Sequence, residues 1–128
     1  MQKEKEIENN ILMFLGHLGL FCWKNQSVGV YNVQRGVFMR SRNIYHIKGV
    51  SDILGLMPDG RMLAIEVKSK TGRISPEQMK FITLVNKNGG VAFVSRSIQQ
   101  TWDQLKTHLK DPERFDSIVS KYKYYAKE

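Results

Sequence analysis

The chain has 128 residues, 41% of them hydrophobic, which suits one globular domain over residues 1–128 with its own core rather than a disordered chain. Lys and Arg number 20 against 12 Asp and Glu, and the resulting formal charge of +8 points to a polyanionic partner such as nucleic acid. The lone cysteine, Cys22, excludes an intramolecular disulfide and a zinc site built on several cysteines, as expected of a reducing cytosol.

The opening MQKEKEIENN lacks the pattern of a secretory signal, and the apolar stretch 11–23 is too short to span a bilayer as a helix. No membrane partner is expected. Residues 4–18 read as a helix, with Ile7, Ile11, Phe14 or Leu15, and Leu18 at helical spacing and Gly19 as its stop. Glu8 lies on the side of Ile11, Leu12 and Leu15, so it is drawn inward or stays a solvated flank. Residues 20–23 read as a strand. The segment 24–48 carries two short β-prone pieces, 28–33 and 36–39, separated by Gln34-Arg35 in the manner of a hairpin. Arg35, Arg40, Arg42 and Lys48 are interleaved there with Tyr31, Phe38 and Tyr45. That mixture suits phosphate contacts with base stacking, and equally a β-excursion with a solvated basic face.

Two apolar runs, Ile53-Leu54-Gly55-Leu56-Met57 and Met62-Leu63-Ala64-Ile65, flank the turn signal Pro58-Asp59-Gly60 and read as a β-hairpin. The polar loop that follows brings Lys70 and Arg73 to the candidate phosphate contacts. Ser75-Pro76-Glu77-Gln78 opens a helix with an N-cap Ser, a first-turn Pro and a Ser-x-x-Gln capping box. Phe81, Ile82, Leu84 and Val85 form its expected core face, and Asn88-Gly89-Gly90 its stop. Residues 91–94 form a fully apolar strand, as in a sheet interior. Two helices follow, one from Ser97 to about residue 109 and one from Asp111-Pro112 with Phe115, Ile118 and Val119 inward. Met39, Met57, Met62 and Met79 are expected as core filler. The basic, aromatic tail 121–127 suits DNA, a partner subunit or fraying equally. The three histidines, His17, His46 and His108, show no metal-binding spacing, and there is no Gly-rich phosphate loop. Neither zinc nor a small-molecule cofactor is expected.

The hairpin carries charge at its open end. Glu66 and Lys68 point to one side of the strand and Val67 to the other, and Asp52 falls opposite Glu66 to Lys68 if the turn centres on 58–60. Two carboxylates and an ammonium then meet beside apolar strands. Their repulsion needs a counter-charge, and Mg²⁺ prefers such oxygens. Lys68 can hold a phosphate oxygen or the attacking water beside it. Asp59 is a decoy for this role, since it sits in the turn about 20 Å from Glu66.

The ordered set Gly49-x-x-Asp52, Glu66-x-Lys68, Gln78 and Gly89-Gly90 resembles the VRR-NUC branch of the PD-(D/E)xK nucleases over residues 4–97, most strongly over 48–97, with 98–128 as a helical extension. The branch usually has Pro before the Asp, where this chain has Ser51. The resemblance implies an α/β, restriction-endonuclease-like fold, a central mixed β-sheet flanked by α-helices. It also implies metal-dependent hydrolysis of DNA leaving 5′-phosphate and 3′-hydroxyl ends. Asp52, Glu66 and the Val67 carbonyl would hold Mg²⁺ or Mn²⁺, and Lys68 would position the water. Gln78 would serve the site, in competition with its cap role. A first-helix acid, laid on Glu8 or Glu4 with spacing favouring Glu8, would complete it. Small standalone members resemble Holliday-junction resolvases, which implies branched DNA, a homodimer and a bacterial or phage-infected cytosol. A restriction or repair nuclease on linear or flapped DNA is the nearest rival. A non-catalytic nucleic-acid-binding module, with the charges as a buried salt-bridge cluster, is the other.

Overall fold

The computed structural model describes residues 3–26, 30–32, 34–39 and 47–123. Helix α1, Glu4–His17, places Ile7, Ile11, Phe14 and Leu15 in the core. Gly19, at φ 83°, ends it in a Schellman motif: its N–H donates to the Gly16 carbonyl, and the Leu20 N–H donates to the Leu15 carbonyl at 3.1 Å. Strand β1, Cys22–Lys24, follows. Strands β2, Val30–Asn32, and β3, Val37–Met39, pair antiparallel around a turn containing Gly36 at φ 63°, as expected of a second hairpin.

Strands β4, Ile53–Leu56, and β5, Met62–Val67, form the central hairpin. Helix α2, Pro76–Lys87, then crosses to strand β6, Val91–Ser95, which runs parallel to β5. The sheet order is β1-β4-β5-β6. Helix α3, Ile98–Leu105, a 3₁₀ turn Lys106–His108, a second 3₁₀ turn Pro112–Phe115 and helix α4, Asp116–Lys123, complete the chain.

The sheet buries both faces. On one, Ile53, Leu63, Ile65, Val67 and Phe93 pack with α1 and with Trp102, Leu105, Phe115 and Val119 of the C-terminal helices. On the other, Ala64 and Ala92 pack with Ile82 of α2. The tail begins by docking on this body: the Tyr122 ring stands 5.0 Å from that of Phe14.

Several packing expectations fail. Leu84 faces outward from α2, as does Met79, because Ile82 with half-buried Phe81 and Val85 already covers the narrow strip of sheet beneath. Met62 lies exposed at the start of β5, and only Met57 of the described methionines is core filler. Met39 and Tyr45 contribute side chains that lie outside what the structure describes. Strand β6 stands at the edge of the sheet rather than inside it, apolar because helices cover both its faces. Its outward backbone is met by side chains: Asn86 donates to the Ala92 carbonyl at 2.9 Å and accepts from its N–H at 2.8 Å, and Gln104 donates to the Val94 carbonyl at 2.8 Å.

Candidate active site

The β4–β5 register pairs Ile53 with Ile65 and Leu56 with Met62, so one step further Asp52 stands opposite Glu66. The turn fixes that register. Met57 N–H donates to the Arg61 carbonyl at 2.8 Å, and Gly60 takes φ 91°. Asp59 is a turn residue, as expected. Its carboxylate accepts from the Arg61 N–H and, at 2.7 Å, from the Arg61 guanidinium, which together hold it below the usual carboxylate range.

At the open end of the hairpin, Asp52 Oδ2 accepts from the Val67 N–H at 2.8 Å. Glu66 is only 1% exposed. Its Oε1 accepts from Gln78 Nε2 at 2.9 Å and lies 3.6 Å from Lys68 Nζ. Its Oε2 is buried and meets no donor. Burial first and the neighbouring Asp52 carboxylate second push the Glu66 carboxyl up to about 8, against the opposing pull of the Lys68 ammonium. Burial beside a second carboxyl thus favours the protonated form of Glu66.

Gln78 forms the expected capping box and also reaches Glu66. Its backbone N–H donates to Ser75 Oγ at 3.1 Å, and its Oε1 accepts from the Ser75 N–H at 2.9 Å, completing the capping box. The other end of the same amide, Nε2, is what reaches Glu66. The cap and the site do not compete, because an amide has a donor end and an acceptor end. Gly49 sets the distance between the two. It adopts φ 79°, and a Cβ there would lie 2.4 Å from the Glu77 carbonyl carbon and 2.6 Å from the Gln78 nitrogen. The approach to β4 is thus packed directly on the start of α2.

Glu8 on α1 is 8% exposed, with a buried Oε1 that accepts no hydrogen bond. Burial raises its carboxyl first and the Asp52 charge adds to that, while Lys24, 3.8 Å away, pulls it down. Glu4, a turn earlier, is half-buried and adds a smaller push. Lys24 had no assigned role in the sequence. The signal for it was a charge ending a short apolar strand directly beside the strand that follows Asp52. Ser51, at the position of the usual Pro, is fully buried and its hydroxyl has no partner. Arg96 was also missed. Its guanidinium donates to the Ser69 carbonyl and, at 2.8 Å, to the Gly72 carbonyl, pinning the loop that carries Lys70.

Of the candidate phosphate contacts, Arg35, Lys48, Lys70 and Arg73 are exposed, and Arg40 and Arg42 lie outside the described residues. Among the described residues no three His, Cys, Asp or Glu side chains stand together closely enough to hold a metal by themselves. The set fits a hard cation nonetheless. Mg²⁺ takes one or two carboxylates and completes its shell with water, and Glu66 offers a buried oxygen with nothing to bind.

Residues 41–99 match the family model of the VRR-NUC domain. Over those residues, just under half of the chain, the sequence is similar to the VRR-NUC domain. That span contains Asp52, Glu66, Lys68 and Gln78 but not Glu8. VRR-NUC domains are nucleases of the PD-(D/E)xK type and generally depend on a divalent metal. Among solved structures, a VRR_NUC domain protein superposes on 78% of this chain and 82% of its own, with a TM-score of 0.50 and 16% identity. That likeness shows the fold, the mixed sheet flanked by helices described above. No curated protein matches the chain. No helix among the described residues is long and apolar enough to cross a membrane.

Proposed function

We propose that the chain is a divalent-metal-dependent DNA endonuclease, one VRR-NUC-type unit over residues 1–128 including the helices 98–128, that cuts branched DNA such as Holliday junctions as a cytoplasmic homodimer. The observation that carries the nuclease reading is the carboxyl pair, Glu66 buried and Asp52 half-buried. Glu66 and Asp52 face each other with one oxygen left without a donor and a carboxyl raised to about 8, a state that a cation relieves.

Asp52, Glu66 and the Val67 carbonyl would hold Mg²⁺ or Mn²⁺. When bound, the cation would polarise the scissile phosphate and make a bound water more acidic. The chain's own residues do the rest. Gln78 fixes the Glu66 carboxylate through Oε1 and leaves Oε2 free to ligate. The Val67 N–H fixes Asp52 in the same way. Lys68, 8% exposed and beside Glu66, orients the water and offsets charge building on the phosphate. Glu8 closes the site from α1. Arg35, Lys48, Lys70 and Arg73 would contact DNA phosphates away from the cut.

The branched-DNA reading rests on symmetry. Two opposed cuts in a four-way junction need two sites, and a chain with one supplies them by pairing. The test is cleavage of a labelled immobile four-way junction and a linear duplex of matched sequence, in Mg²⁺, Mn²⁺ or EDTA, by wild type and Asp52→Asn. Paired nicks in opposite strands of the junction are expected, dependent on metal and Asp52 and absent from the duplex. Equal cutting of both substrates would sink the resolvase and keep the nuclease. Tight binding without cutting in either metal would leave only a binding module.

A further inference from the structure

Helix α2 covers only half of its face of the sheet. Over β5 and β6, Ala64, Ala92 and Ile82 are buried. At β1 and the outer end of β4 the same face carries the exposed side chains of Phe21, Trp23 and Leu56. Trp23 pairs with Leu54, whose side chain belongs to the α2 side, so Trp23 shares the face of Glu66 and Lys68. Phe21 continues the ladder, its carbonyl accepting from the Leu56 N–H at 2.9 Å. Phe21 is 68% exposed and Trp23 44%. Their ring centroids are 5.3 Å apart at 54°, so the two rings are tilted together rather than packed into the core. Neither joins the hydrophobic clusters.

This patch lies one strand from the carboxyl pair. Trp23 is opposite Leu54, and Asp52 is two residues before Leu54, which makes Trp23 and Asp52 diagonal neighbours about 7–8 Å apart. A strand whose phosphate lies at Asp52 and Glu66 therefore passes its adjoining nucleotide over the two rings. Inside a duplex the faces of that base are already stacked. Only an unpaired or splayed base can use an aromatic platform, and any base will serve because each has a π-face. The basic charge of the chain supplies attraction for the backbone and the rings supply contact for the base.

We propose that Phe21 and Trp23 form a stacking platform for an unpaired base next to the scissile phosphate, so that the enzyme selects DNA with locally opened strands. The proposal rests on the nuclease reading for the phosphate position, and its test is independent of cleavage.

The chain has two tryptophans, and Trp102 is buried in the main core. Emission changes caused by DNA therefore belong to Trp23, and Trp23→Phe leaves Trp102 as the internal reference. In EDTA, a short oligothymidylate should quench wild-type and Asp52→Asn emission, a blunt duplex should not, and Trp23→Phe should abolish the response. Trp23→Leu should weaken oligothymidylate binding about 5- to 150-fold, the span of one lost stacked base, and leave duplex binding unchanged. Phe21→Ala, more exposed still, repeats the test should Trp23→Leu fold poorly. Unquenched emission, or unchanged affinity in Trp23→Leu and Phe21→Ala, overturns the platform even if metal-dependent cleavage is found. Emission that shifts with protein concentration before DNA is added also overturns it, because the rings then serve a second copy. Quenching without metal-dependent cleavage keeps the platform and removes the nuclease.

Discussion

Glu66→Gln should make the metal-free protein more stable at neutral and alkaline pH, although it removes a proposed ligand. The replacement is isosteric. Its carbonyl can still accept from Gln78 Nε2, and its amide can donate to Asp52 where the carboxylate had nothing to offer. The effect must depend on pH with a defined sign. The Glu66 carboxyl sits at about 8 in the folded chain against 4.5 ordinarily, so the folded state holds this proton more tightly than the unfolded state. The stability it contributes is complete below about 4.5 and is lost as pH rises through 8. At about 1.4 kcal/mol per pH unit, the ceiling on this loss between pH 5 and pH 7.5 is about 3 kcal/mol. Asp52, the half-buried member of the pair, leaves part of the interaction screened by solvent, so about 1.5 kcal/mol is the working figure. Urea unfolding in EDTA at those two pH values, wild type beside Glu66→Gln, measures it. Wild type should lose the extra stability on going to the higher pH and the variant should not. Mg²⁺ should restore it to wild type alone, through binding to the folded state. If both proteins lose stability in parallel, Glu66 does not carry the buried proton and the electrostatic reasoning for a cation site fails with it.

Two further substitutions test how the site is built. Gly49→Ala forces a Cβ against the backbone of Glu77 and Gln78 at a φ of 79°, and neither neighbour can turn aside. It should cost about 2 kcal/mol or more in urea unfolding and lower cleavage as well, because the start of α2 must move. Gln78→Ala removes half of the capping box and the donor to Glu66, and should cost about 1 kcal/mol. Gln78→Glu keeps the capping box but sets a carboxylate against Glu66. It should therefore recover most of that stability in a thermal melt with metal present and less of it in EDTA.

The central hairpin was legible because its turn signal is compact and its apolar runs are short. Once Pro58-Asp59-Gly60 is centred, alternation alone sets Asp52 opposite Glu66, and the register agrees. The capping box was legible for the same local reason, whereas the contact of Gln78 with Glu66 was not. The sequence could not reveal that one amide serves both, since that depends on how closely α2 approaches β5. Packing was harder to read wherever the extent of a covering element decides it. Met62, Met79 and Leu84 have core-type side chains, yet α2 is too narrow to shelter them. The apolar run of β6 looked like a sheet interior because both its faces are buried, which side-chain type cannot distinguish from pairing on both edges. Lys24 and Arg96 escaped notice because their partners, Glu8 and the carbonyls of Ser69 and Gly72, are far from them in sequence.

The closed flank at β6 has a consequence for assembly. Asn86 and Gln104 occupy the hydrogen-bonding positions that a fifth strand of this sheet would need, so a second molecule cannot lengthen the sheet from that side. Any pairing of copies through a continuous sheet must place its two-fold axis elsewhere.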